Sequence, residues 1–220
     1  IGKGDYTGAL PFRDEENHQH CRYTNIEYTY AISLISKYPH MQETNLYTVT
    51  IPPMIKTLHA LSGILDKAAA HTESKKLSWM DFESSLLVDK IIFDQFNFTK
   101  QVQIASDNAK GIAARLAEIE IPTFEDKEST IKELKERMEK TIAFLETIKP
   151  EQIIGKESVK ITLSYYPGKH MTGFDYVTQY AIPNFYFHVT TAYDILRKNG
   201  VSIGKDDYHG ALPFKDEEKA

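Results

Sequence analysis

The chain is poor in residues that clasp a fold covalently or through metal. Its 220 residues include one cysteine, Cys21, and one tryptophan, Trp79. A single thiol excludes a disulfide framework or a cysteine-rich zinc site within one chain, and a reducing, cytoplasmic setting is expected. Charge or proline interrupts every apolar run before it could span a bilayer, so no membrane partner is expected. Ile1–Asp5 leads into no apolar signal segment. Basic runs with interleaved aromatics are missing, and the net charge is −5, so nucleic acid is not an expected partner either. There is no glycine-rich phosphate loop, since Gly168 and Gly173 serve turns. Histidine is absent from Leu77 to Glu157. What remains is a globular mixture, 41% apolar and 26% charged, enough for one well-filled core.

The two ends repeat one another. Ile1–Glu16 (IGKGDYTGALPFRDEE) and Ile203–Glu218 (IGKDDYHGALPFKDEE) differ only at Gly4/Asp206, Thr7/His209 and Arg13/Lys215. The first methionine is Met41, and Asn17–His40 shows neither helical period nor strand alternation. Residues 1–16 read as the tail of a preceding, duplicated copy, and 17–40 as translated intervening sequence. Residues 1–40, Cys21 included, are thus expected to be an extension outside the domain, which occupies 41–220. The alternative is an N-terminal arm that reuses a surface-binding segment.

Within the domain the helical period dominates. Pro52–Pro53 reads as the opening of a first helix with the stripe Met54, Leu58, Leu61, Leu65 and Ala68, ended at Lys75–Lys76. Trp79–Ser85 suits a short helix, and Ile91–Phe98 is an irregular aromatic stretch. Trp79 and this run are expected to cover the open end of the bundle, the alternative being that they line a ligand mouth. A second long helix, about Thr99–Ala117, carries Val102, Ala105, Ala109, Ile112 and Leu116. Ile121–Asp126 is a linker. A third helix, Glu128–Ile148, turns Ile131, Leu134, Met138, Ile142 and Leu145 inward, with Glu133–Arg137 and Glu136–Lys140 as ion pairs on a solvated face. Ser158–Tyr165 alternates before Pro167–Gly168, which predicts a hairpin over about Lys156–Met171. The last helix follows from about Phe174 with Pro183 inside it, kinking or restarting it. Its stripe is Ile182, Phe185, Val189, Ala192 and Leu196, and Gly200 is its stop. The expected architecture is all-α, an antiparallel four-helix bundle with a small β-hairpin before the last helix.

The runs PNFYFHVTTAYDILRKNGV (Pro183–Val201), GKDDY (Gly204–Tyr208), KQVQIASDNAKGIAARLA (Lys100–Ala117) and KTIAFLE (Lys140–Glu146) carry a resemblance over roughly Leu46–Tyr208. They closely resemble a bacterial and fungal family, the domain of unknown function numbered nineteen ninety-three. That family is similar in architecture to the DinB-like bundles, many of them dimers, so the resemblance implies a homodimer. Some DinB-like proteins are metal-dependent thiol transferases or isomerases, but fold alone implies no activity here.

The resemblance also implies where a site would lie. DinB-like metal sites use one histidine on the second helix and two at i, i+4 on the last. Aligned through Leu196–Arg197 and Gly200, the last pair falls on Asn184 and His188. A neutral amide is a poor zinc ligand, and the second helix has no histidine. His188 is therefore the only retained ligand position, and no metal or cofactor is expected. The remaining domain histidines are His59, His71, His170 and His209. Gln101, Asn108 and Arg115 lie at heptad intervals on one flank of the second helix. If that flank faces Asn184 and His188, a polar pocket results, and Gln101, Asn108, Asn184 and His188 are the candidate ligand-binding residues. The plainer reading is an ordinary polar flank with a hydrogen-bonded, partly buried His188. Asp107 points away from the stripe, and Tyr186 and Tyr193 suit core or dimer packing. The leading expectation is a small-molecule-binding or non-catalytic bundle with a degenerate metal site. The competing one is a transferase or isomerase using His188.

Overall fold

In the computed structural model, which describes residues 44–216, helix α1 (Leu46–Lys75) starts more than a turn before the paired prolines. Asn45 and Thr48 form a reciprocal cap, with Thr48 N–H donating to Asn45 Oδ1 at 3.0 Å and Asn45 N–H to Thr48 Oγ1 at 3.1 Å. The start expected at Pro52–Pro53 is thus corrected. Each proline leaves a carbonyl one turn back without its usual donor. Burial of Leu46, Thr50 and Ile51 offsets that loss and holds the first turns helical. The helix ends at Lys76, in left-handed backbone at φ 54°. The expected extension 1–40 and the expected start at Met41 lie outside the described residues.

A short α2 (Trp79–Val88) leads to α3 (Phe98–Leu116), capped by Asn97. Between them Ile91, Ile92 and Phe93 are exposed, Phe93 at 93%. That stretch therefore does not cover the bundle's end as expected, and only Phe98 turns into the core. Helix α4 (Ile131–Thr147) begins later than expected. The Glu133 carboxylate accepts from the N–H groups of Ser129 and Thr130 at 2.7 and 3.0 Å, closing the helix N-terminus there. Glu133 is consequently a cap, not the surface partner of Arg137.

After α5 (Pro150–Ile153), strands β1 (Lys160–Thr162) and β2 (His170–Thr172) pair antiparallel with Ile161 opposite Met171, both buried. A single turn, α6 (Gly173–Asp175), runs into a π-helical segment, Tyr176–Ala181, and then α7 (Ile182–Lys198). Pro183 explains the wide turn. It has no N–H for the carbonyl four residues back, and the ladder ahead of it slips to a wider register, Ile182 N–H donating to Val177 O. The kink or restart read at Pro183 takes this form. A last short helix, α8 (Lys205–His209), lies on α1.

The four long helices pack as a bundle in which α3 contacts both α7 and α4, and α1 closes against α4. The stripes of α1, α3 and α4 are fully buried, as are Phe185, Val189, Ala192 and Leu196 of α7. Ile182 is only partly so. The described residues are mostly helical, with one two-stranded sheet among them. Among the described residues no helix is long and apolar enough to cross a membrane.

Candidate functional site

The heptad flank of α3 faces α7. Gln101, Asn108 and Arg115 each meet a polar side chain of α7 or of the π-helical segment that leads into it. His188 Nδ1 lies 2.6 Å from Gln101 Oε1, Asn184 Nδ2 donates to Asn108 Oδ1 at 2.9 Å, and Arg115 Nη1 donates to the Tyr176 hydroxyl at 3.1 Å. Partners rise in number on α3 as they fall on α7, so the two helices run antiparallel. All four candidates, Gln101, Asn108, Asn184 and His188, come together at this one seam.

The bonding fixes the imidazole's tautomer. Gln101 Nε2 donates to the Phe96 carbonyl at 3.0 Å, so its Oε1 must be the atom facing His188. An amide oxygen only accepts, hence His188 carries its proton on Nδ1. The Nε2 lone pair is left with no partner among the described residues. His188 is 7% exposed, and burial pushes its pKa down to about 4, so the ring is neutral at physiological pH. Asn108 Nδ2 is buried without an acceptor. One bond between two primary amides uses one donor and one acceptor, so either orientation of the pair leaves a polar atom of Asn108 unpaired.

Tyr176 belongs to the same seam, though periodicity did not single it out, because the π-helical segment shifts the register ahead of α7. It is buried, and burial pushes its phenol above the usual range against the nearby Arg115. Arg115 lies back over Gly111, where an added Cβ would sit 2.3 Å from Nη1. The small residue leaves room for the guanidinium.

A second polar cluster occupies the other side of α3. Arg137 of α4, read as a surface residue, is 2% exposed. It pairs with Glu128 at 2.9 Å, Asp107 at 2.7 Å and Asp126 at 3.0 Å. Asp107 thus points away from the His188 seam, as its position implied. Lys110 Nζ donates to the Pro122 carbonyl at 2.9 Å and sits 3.7 Å from the centre of the Phe124 ring. The group pins the linker that carries Phe124 and Glu128 beside a cleft of about 400 Å³. Burial opposes the Glu128 charge, but hydrogen bonds from Arg137 and Gln103 hold its carboxyl below the usual range. Asp126 is held down against burial by Lys100 and Arg137.

At the α3–α7 seam the donor set is one imidazole and three amides. Zinc-type ions favour imidazole, thiolate or carboxylate, so the residues present do not fit the three-histidine site of DinB-like bundles. His71 lies beside Gly200 and Phe82, His209 against Tyr208, and His170 on β2. Among the described residues no cluster of three or more His, Cys, Asp or Glu is placed to hold a metal ion.

The fold is that of a DinB-like helical bundle. Residues 46–209 match the family model described as Domain of unknown function (DUF1993), and the chain belongs to that family. Among solved structures it is similar to a DinB family member protein from Shewanella denitrificans, at 41% identity and a TM-score of 0.73, over 78% of this chain and 96% of that one. A comparison with curated proteins gave no match.

Proposed function

We propose that the protein binds a small, uncharged polar molecule between α3 and α7, on a DinB-like scaffold whose metal-ligand positions have changed. The observation that supports this reading most is the pair of unused groups at one seam. The His188 Nε2 lone pair accepts, and the Asn108 amide has a donor to spare. A buried polar group such as the Asn108 amide is ordinarily paired, and a ligand carrying both a donor and an acceptor, such as an amide or an alcohol, would satisfy it while donating to His188. The π-helical turn beside Asn184 fits this reading, since such turns recur at functional sites.

Titrating acetamide into protein with 15N-labelled histidine should move the His188 Nε2 resonance, and Asn108→Leu should abolish the movement. Metal analysis of protein purified without an affinity tag, beside His188→Ala, tests the opposite reading. Stoichiometric zinc, nickel or iron that disappears in the variant would overturn the proposal.

The similarity to a DinB family member favours a second reading, a transferase or isomerase with His188 as acid or base. Its weakness is the imidazole itself, held neutral down to about pH 4 and so a poor base at neutral pH. A homodimer in the cytoplasm completes the proposal. The exposed apolar side chains of Val88, Ile91, Ile92 and Phe93 support the dimer, and sedimentation of Phe93→Asp should show monomer if they form the contact.

A further inference from the structure

The C-terminal tail docks on the outer surface of α1 and α7 through a few anchors. Ile203 is buried, and its carbonyl accepts from Arg197 Nη1 at 2.6 Å. Asp207 pairs with Lys67 at 2.5 Å and accepts from Gly204 N–H at 2.9 Å. The Tyr208 ring meets Tyr193 edge-on at 5.7 Å, and its hydroxyl shares a hydrogen with Thr190 at 2.9 Å. Gly210, at φ 61°, passes so close to α1 that a Cβ would lie 3.2 Å from that of Ala60.

Each of these anchors recurs at the other end of the sequence. Ile1, Gly2, Asp5, Tyr6 and Gly8 stand where Ile203, Gly204, Asp207, Tyr208 and Gly210 stand in the tail. The differences fall on residues that do not hold the tail down. Asp206 and Lys215 are exposed, and His209 makes only a ring contact with Tyr208, within the tail itself. The surface formed by Ala60, Lys67, Thr190, Tyr193 and Arg197 therefore presents the same chemistry to either segment.

We propose that this α1–α7 surface is a peptide-docking site, and that Ile1–Gly8 of the same chain is its second ligand, exchanging with the C-terminal tail. Reach is no obstacle. The residues between Gly8 and Leu46, at about 3.4 Å each when extended, far exceed the ~45 Å length of α1. The tail holds the advantage because it follows directly from α7, whereas the N-terminal copy closes a longer loop.

The full chain tests this with Tyr6→Ala, Tyr208→Ala and the double variant, by thermal unfolding. Tyr6→Ala should leave Tm unchanged alone, because the tail fills the site. In the Tyr208→Ala background, where the N-terminal copy becomes the better ligand, it should lower Tm by about 3 °C more. An equal effect of Tyr6→Ala in both backgrounds, zero included, overturns the exchange. A photo-cross-linker at position 6 in the Tyr208→Ala chain should mark peptides containing Thr190 and Tyr193 within one molecule. Cross-linked dimers in place of that product would overturn docking within the chain.

Discussion

Helix α3 carries a polar flank on each side of its apolar stripe, and the two flanks are satisfied by opposite means. Toward α4 the side chains are charged, with Lys100 joined to Asp126, Lys110 to Asp107, and Arg137 to Asp107, Asp126 and Glu128. Toward α7 they are, Arg115 apart, neutral amides and one neutral imidazole, met singly and with a polar atom of Asn108 left over. A buried cation must be matched by anions wherever it sits, so the first flank is neutralised by its own carboxylates and holds the linker in place, although Arg137 Nε is left unpaired. Neutral groups tolerate incomplete pairing at lower cost, and the proposed ligand would use the groups that the second flank leaves over.

The sharpest way to break the contrast is to open the charged flank. Arg137→Ala leaves the partly buried Glu128 and its neighbours without their cation. It should cost about 3–5 kcal/mol, read as a lowered urea midpoint. No single change on the neutral flank should cost as much.

Acid should separate the flanks next. The His188 pKa is about 4 in the fold against 6.5 unfolded, so the unfolded chain binds the proton first. Stability from this group is fully present above pH 6.5 and falls as pH drops toward 4, by up to about 3 kcal/mol. The Glu128 and Asp126 carboxyls are held below their ordinary 4.5 and 3.8. Their contribution is present above those values and is lost only as pH falls further. Chemical denaturation across pH 7 to 3 should show two successive losses, and His188→Gln should remove the first alone. A single loss below pH 4.5 in the unaltered protein would mean the imidazole is solvated.

The neutral flank was legible in sequence because it keeps the helical period. Gln101, Asn108 and Arg115 recur every seventh residue, and Asn184 and His188 lie four apart on a facing helix. The charged flank was not, since Arg137 stands four residues after Glu133, a spacing that mimics a surface pair. Its real partners, Asp107, Asp126 and Glu128, come from another helix and a loop, and no local pattern encodes that. Tyr176 escaped for a related reason, since the π-helical turn breaks the period that would have placed it. The helix stripes and the hairpin were all readable, whereas the start of α1 depended on burial outweighing two prolines.

Smaller effects should grade the neutral flank from within. Asn108 and Asn184 share one hydrogen bond, so a double-mutant cycle with alanine at each should give a coupling of about 1 kcal/mol. Without coupling, the pair is no rung of the seam.

The weakest expected effect is at Gly111, and its sign carries the information. Alanine there gains about 1 kcal/mol of helix propensity, but its Cβ would meet Arg115 Nη1 at 2.3 Å. The guanidinium is the far end of a flexible side chain, so it can swing away, giving up its bond to the Tyr176 hydroxyl at about the same cost. Gly111→Ala should therefore leave stability within about 0.5 kcal/mol of the parent. In a Tyr176→Phe background there is no bond left to lose, and the same substitution should stabilise by about 1 kcal/mol. Equal values in the two backgrounds would mean that Arg115 contributes nothing to the seam through Tyr176, and the neutral flank would end at Asn108.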